Sequence, residues 1–212
     1  PYPAQEEALL QLISGNHVVL ETPTGSGKSL VALGLHFKAM CEGKRSFYTA
    51  PIKALVSEKF FSLCELFGEE NVGMLTGDAS INWSAPIICC TAEVLSDMSL
   101  RQGEHTDADY VVMDEFHYYG DRDRGIAWEL PLLLLPKSQF LLMSATLGNT
   151  ASIEERLQSD SKRDVRHIWS DIRPVPLDFA YSKTPLRQTV EDLCHDRRSP
   201  ICLLYTSDAA DE

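Results

Sequence analysis

The sequence lacks most of the features that would take it out of the ordinary globular class. None of its six cysteines (Cys41, Cys64, Cys89, Cys90, Cys194 and Cys202) forms a C-x-x-C pair, which argues against a zinc site. Cys89 and Cys90 lie in the apolar run "PIICCT", so the expectation is buried, reduced thiols in a cytoplasmic protein. No apolar run is long enough to span a bilayer, so no membrane partner is expected. The opening "PYPAQEEALL" has no basic region followed by an apolar one; no secretory signal is visible, as would also hold for a chain beginning mid-protein. Internal repeats and low-complexity tracts are absent. So is any excess of basic residues: 19 Lys and Arg face 31 Asp and Glu, a net charge of −12. That balance speaks against a simple nucleic-acid binder. It leaves room for a local groove in which backbone amides and a few basic side chains hold phosphates.

What is present is the makings of a layered core. With 44% hydrophobic residues in 212, one or two globular domains are expected. Short β-like runs lie at 17–21, 46–50, 71–77, 86–91, 110–115 and 139–146, and several are apolar throughout rather than alternating, as strands covered on both faces should be. Helix-like segments at 28–42, 53–67, 92–102 and 125–135 lie between them. The alternation predicts an α/β fold with a mostly parallel central sheet flanked by helices. "SIEE" at 152–155 reads as a capping box opening a further short helix. In "RHIWSDIRPVPLDFAYS" two prolines bracket Val175, which suits a linker or edge strand. A helix-like segment near 185–196 and an apolar strand "PICLLY" (200–205) follow.

Three stretches carry chemistry. "TPTGSGKS" (22–29) follows a strand and precedes a helix, the context of a phosphate-binding loop. Gly25 and Gly27 would let backbone amides turn toward a β-phosphate at a helix N-terminus. Lys28 would reach the β- and γ-phosphates, and the Ser29 hydroxyl would ligate magnesium. The alternative, a flexible Thr/Gly/Ser linker, is opposed by the flanking strand and helix. "VVMDEFH" (111–117) is an apolar strand ending in two carboxylates. Asp114 there could hold the same magnesium, and Glu115 could orient a water. "LLMSATLG" (141–148) ends a third strand in small hydroxyl residues, informative only through its place in the order.

That order, "TPTGSGKS", "APIKALVSEKF", "LTGD", "TAEVL", "DEFHYYGDRDRG", "SAT" and "RPVPL", resembles a superfamily 2 DExH-box helicase of the superkiller type. The likeness runs from Gln5 to about Tyr205, and such loops often begin with Ala or Thr, which accounts for Thr22. It implies a RecA-like P-loop NTPase domain using ATP and magnesium. Its cradle would be formed by Thr22, Thr24, Gly25, Ser26, Gly27, Lys28 and Ser29. Gln5 sits where relatives read adenine, although a solvent-facing helical glutamine fits as well. Glu115 matches the catalytic carboxylate, with Asp114 and Lys28 beside it. His117, Ser144 and Thr146 look like the relay from nucleotide state to domain movement; the other reading of His117 is a buried, satisfied histidine. Nucleic-acid contacts would come from Lys53, Gly77, Thr91 and Glu93, of which Lys53 could equally be a solvated surface charge. "DRDRG" (121–125) reads first as a charged start to a helix.

The implied layout is an ATP-binding domain over 1–165, a linker and edge segment over 166–198, and the start of a second RecA-like domain over 199–212. The closing "TSDAADE" resembles a truncation scar. The expected activity is ATP-dependent unwinding of RNA, with DNA possible, by the two domains together. Alternatives are a duplex translocase that does not separate strands and a non-catalytic nucleic-acid-binding module. A small-molecule kinase fits least, because no lid or acceptor site is evident.

Overall fold

The computed structural model describes residues 2–173, 183–185, 187–189 and 191. Two compact units divide the chain after Val175. The first is built on eight strands: β1 (His17–Glu21), β2 (Ser46–Ala50), β3 (Val72–Leu75), β4 (Ser80–Ile81), β5 (Ile87–Thr91), β6 (Tyr110–Met113), β7 (Gln139–Ser144) and β8 (Val165–Trp169). They form one sheet in the order β4-β3-β5-β2-β6-β7-β1-β8. Every described pairing is parallel except β3 with β4.

Six α-helices cover this sheet: α1 (Pro3–Ile13), α2 (Lys28–Cys41), α3 (Lys53–Phe67), α4 (Ala92–Gln102), α5 (Gly125–Leu134) and α6 (Ala151–Ser161). The pleat sends alternate strand residues to opposite faces, and both faces are covered. Val18, Leu20, Val112, Leu141 and Met143 pack with α1, α2 and α3 through residues such as Leu12, Leu35 and Phe60. Val19, Val111, Met113, Phe140 and Leu142 pack with α4, α5 and α6 through Leu95, Trp128 and Leu157. The continuous apolar runs of the sequence follow from this double coverage.

The elements match the sequence reading closely in the middle of the chain and less well at element ends. The runs at 71–77, 110–115 and 139–146 are shorter as strands, because their last residues turn out of the ladder into loops. α6 begins at Ala151 with Thr150 as its N-cap, not at the expected capping box, and Thr150 Oγ1 donates to Glu154 Oε1 at 2.6 Å. β4 has no apolar signature because both its residues are exposed. Cys89 and Cys90 are fully buried, with burial pushing the Cys89 thiol up to about 12. Cys41, at the last position of α2, is instead exposed, and Cys64 is half-buried. Among the described residues no helix is long and apolar enough to cross a membrane. In the second unit residues 187–189 and 191 are helical, with Arg187 Nε donating to Glu191 Oε1 at 3.0 Å. The rest of the segment near 185–196, and the strand expected at 200–205, lie outside the described residues.

Two histidines are built into the core in the neutral form. His17 Nδ1 accepts the Phe140 N–H (3.0 Å), which leaves Nε2 to donate to Ser161 Oγ (2.7 Å). Burial, with Arg163 adding to it, lowers its pKa to about 4. His36 is fully buried against Ser46 Oγ (2.8 Å), and burial alone brings it to about 4. An unfolded histidine titrates near 6.5. The unfolded chain therefore binds more protons than the folded one between about pH 6.5 and 4, so stability is full above that window and falls as pH drops through it. The expected loss is roughly 3 kcal/mol per histidine across the window. Urea unfolding between pH 7 and 4.5, with imidazole resonances followed by NMR, measures it. Titration of both rings near 6.5 in the folded chain would contradict the assignment.

Candidate nucleotide site and nucleic-acid groove

β1 delivers the phosphate loop. Its last residue, Glu21, pairs with Ser144 in β7, and the Thr22 N–H continues the ladder to the Ser144 carbonyl at 3.2 Å. The chain then turns through Gly25 (φ 82°) and Gly27 (φ 79°), both in the left-handed region that glycine tolerates best. At Gly27 a second constraint applies: a Cβ there would lie 2.3 Å from Gln5 Nε2.

Gln5 is therefore no solvent-facing helical residue. It is 6% exposed, and its Nε2 donates to the carbonyls of Ser26 (2.8 Å) and Gly27 (3.0 Å) while Oε1 accepts the Tyr2 N–H (2.8 Å). Those partners fix the orientation of the amide, since a carbonyl can only accept and an N–H can only donate. Thr22 and Ser26 are buried, with their hydroxyls 2.7 Å apart inside the loop. Thr24 is exposed at the tip.

Lys28 opens α2 and folds back to donate to the Thr22 carbonyl at 2.7 Å. Burial lowers its pKa, Glu115 and Asp114 oppose the change, and Arg173 adds to it. The ammonium thus lies in the field of both carboxylates. Ser29 is exposed, and its Oγ receives Lys59 Nζ at 3.1 Å.

β6 delivers the acid pair. The Asp114 N–H bonds the Thr49 carbonyl (2.9 Å), keeping the residue at the strand end. Its Oδ2 accepts from the Tyr48 hydroxyl, and its Oδ1 from the Glu115 N–H at 3.0 Å. Burial, with Asp114 beside it, holds the Tyr48 phenol well above its usual range, so it stays a donor. Glu115 is left-handed (φ 54°, ψ 44°), a conformation costing a non-glycine residue on the order of 1 kcal/mol or more. That turn carries the chain straight from the strand into a short 3-10 helix, Phe116–Gly120. His117 Nδ1 then lies 3.2 Å from Glu115 Oε2 and 3.2 Å from Ser144 Oγ. Ser144 Oγ in turn donates to the Thr146 carbonyl (2.8 Å). His117 is therefore partly exposed and engaged on both sides, not sealed in the core.

The four residues expected to touch nucleic acid line one open groove at the same edge of the sheet. It is bounded by the starts of α3 and α4 and the turn after β3. Lys53 is exposed and ion-paired with Asp78 at 2.8 Å. Glu93 is bonded twice by Arg124, at 2.9 Å from Nε and 2.5 Å from Nη2. Thr91 is the N-cap residue of α4, and Gly77 sits in the turn opposite.

The sequence reading passed over Tyr48 and Arg124. A tyrosine in "SFYTA" cannot be told from a core aromatic. For Arg124 the signal was the "DRDRG" run itself, where Asp121 Oδ1 receives the N–H groups of Asp123 (2.9 Å) and Arg124 (2.8 Å) and so fixes the arginine at the start of α5.

A family model described as DEAD/DEAH box helicase matches residues 2–153. Over 189 residues the chain is 36% identical to the chloroplastic DExH-box ATP-dependent RNA helicase DExH15 of Arabidopsis thaliana, covering 84% of this chain and 16% of that protein. It is 36% identical over 177 residues to the antiviral helicase SKI2 of Saccharomyces cerevisiae, covering 82% and 14%. The helicase domain of Hef from Pyrococcus furiosus superposes with a TM-score of 0.60 at 22% identity, over 82% of this chain and 39% of that one, a likeness of RecA-like fold. The chain thus spans about a sixth of the length of these curated relatives. Motif order, sheet and relatives agree: the chain belongs to the DEAD/DEAH box helicases, and DExH helicases such as DExH15 are among the proteins it is similar to.

Proposed function

We infer that the chain is the nucleotide-binding first motor domain of an ATP-dependent helicase acting on RNA. The observation that carries this reading is that the glycine loop with Lys28 after β1 and the Asp114–Glu115 pair after β6 leave the parallel sheet at the same edge, near enough for both carboxylates to act on the ammonium, which supports ATP hydrolysis there. The choice of RNA rests on relatives such as DExH15, whose name describes an RNA helicase; DNA is the competing substrate.

In this reading the N–H groups of the loop and the start of α2 hold the β-phosphate. Lys28 exchanges the Thr22 carbonyl for the β- and γ-phosphate oxygens. The Ser29 hydroxyl and the Asp114 carboxylate are hard oxygen donors suited to magnesium, which takes few protein ligands. Magnesium bound there would neutralise phosphate charge.

Glu115 accepts a proton from the attacking water. His117 Nδ1, equidistant from Glu115 and Ser144, can favour either one. A change in the charge or position of Glu115 would redirect the ring toward Ser144, and through it the backbone at Thr146. The remainder of a full-length protein would supply a second RecA-like domain, with arginines that complete the site.

Glu115→Gln in the full-length protein is expected to leave ATP affinity nearly unchanged and lower turnover by orders of magnitude. Turnover within a few-fold of the parent would remove Glu115 from the mechanism. Lys28→Ala is expected to weaken ATP binding by about 1.5–3 kcal/mol, the value of a charge-assisted contact; unchanged affinity by calorimetry would show that the loop is not the cradle. The 212-residue chain by itself should hydrolyse ATP slowly and respond little to single-stranded RNA, because in this reading the arginines worth about 10³–10⁵ in rate come from a second RecA-like domain. Robust RNA-stimulated turnover by the chain alone would overturn the two-domain mechanism.

A further inference from the structure

The groove contains an arrangement that a simple phosphate-binding surface would not have. Its cations are already matched by carboxylates: Lys53 by Asp78 at 2.8 Å and Arg124 by Glu93 at 2.5 Å. Asp97, on the α4 wall, is paired with Arg101 at 2.9 Å. The groove therefore has little unpaired positive charge to offer a phosphate backbone. Its remaining donors are N–H groups at the starts of α3 and α4, where neither N-cap residue, Ile52 or Thr91, makes a side-chain capping bond and only the Glu93 N–H is engaged by its own carboxylate. Gripping phosphates with those amides requires the two helix starts to be held at a fixed separation.

Arg124 is the group that spans them. Its guanidinium donates to Glu93 in the first turn of α4 and to the Pro51 carbonyl just ahead of α3. It also lies over the Tyr118 ring, 5.6 Å from the centroid. Tyr118 in turn contacts the His117 ring at 4.9 Å and stacks on Trp128 at 6.4 Å. A single planar fork thus joins both sides of the groove and rests on the residue next to His117. Glu93 is held below the usual carboxylate range: burial pushes it up, but the Arg124 hydrogen bonds and charge, together with hydrogen bonds from its own backbone N–H and from Thr91, outweigh that. It stays ionised and paired.

We propose that Arg124 is a positioning residue, the strut that sets the spacing of the two helix starts and links the groove to the carboxylate segment through Tyr118. It does not itself contact phosphate. Glu93, expected from the sequence to touch nucleic acid, is in this arrangement the anchor of the strut. The inference rests on the reading of the groove as a nucleic-acid site. Lysine could not replace the arginine, because one ammonium cannot hold the carboxylate and the carbonyl in the same fixed plane.

The test is binding of a fluorescein-labelled single-stranded oligouridine to the 212-residue chain over a range of salt concentrations. Arg124→Ala and Arg124→Lys should each weaken binding by about five- to tenfold with the salt slope unchanged, since no phosphate contact is lost. Glu93→Gln should weaken binding comparably, and the Glu93→Gln/Arg124→Ala double variant should be no weaker than either single change, as expected of a pair acting as a unit. Affinity for a fluorescent ATP analogue should hold in every variant, which general unfolding would not allow. A fall of about one in the salt slope for Arg124→Ala would make the arginine a phosphate contact and overturn the proposal. Unchanged affinity, additive losses, or rescue by lysine would overturn it as well. Failure of the parent chain to bind the oligonucleotide would remove the reading of the groove, and the strut with it.

Discussion

Four neighbouring strands, β2, β6, β7 and β1, run in the same direction and in register, and everything chemical in the molecule depends on that alignment. A parallel ladder brings the carboxyl ends of its strands to a common edge, where the following residues leave the sheet together. Glu21 beside Ser144 sets the phosphate loop next to the Ser-Ala-Thr turn. The bond from the Asp114 N–H to Thr49 seats the acid pair one strand further on. No side chain has to reach far. A slip of one residue in β6 would send Asp114 to the opposite side of the sheet and separate it from Tyr48.

The central part of this arrangement was open to sequence reasoning because burial on both faces leaves a plain mark: uninterrupted apolar runs closed by glycine or by paired acids. β1, β2, α3 and α4 have the bounds read from the sequence. What escaped reading were residues whose roles come from partners distant in the chain. Tyr48 is a core aromatic by every local criterion and becomes an Asp114 ligand only when β2 and β6 pair. Arg124 carries the charge expected of a helix start, and its grip on Glu93 and Pro51 arises from how α4 and α5 pack. Gln5 stands out in the sequence only by its place ahead of the loop, and its clamp on Ser26 and Gly27 needs α1 laid across α2. Local pattern marks elements; long-range contacts assign their side chains.

The acidic character of the chain is compatible with a phosphate-handling surface because the charges that matter are local and mostly paired. Lys28 draws its environment from two nearby carboxylates and from burial, not from the overall balance of −12. At the groove, backbone dipoles that no pH change can remove stand where free cations are few. Overall charge is therefore a weak guide to partner class when the phosphate contacts are made by helix starts and glycine turns.

A sheet that must be unbroken in its middle also has to end somewhere, and among the described residues each end is made unattractive to another strand. On one side β4 is two exposed residues running against its neighbour, too short to template further pairing. On the other, β8 places Arg166 and His167 among its mostly exposed positions, with Arg166 tied to Asp164 and His167 held between Glu21 and Glu154. Brevity and charge of this kind discourage edge-to-edge stacking. In a sheet whose interior strands are buried almost from end to end, those two margins are where pairing with another chain is kept from starting.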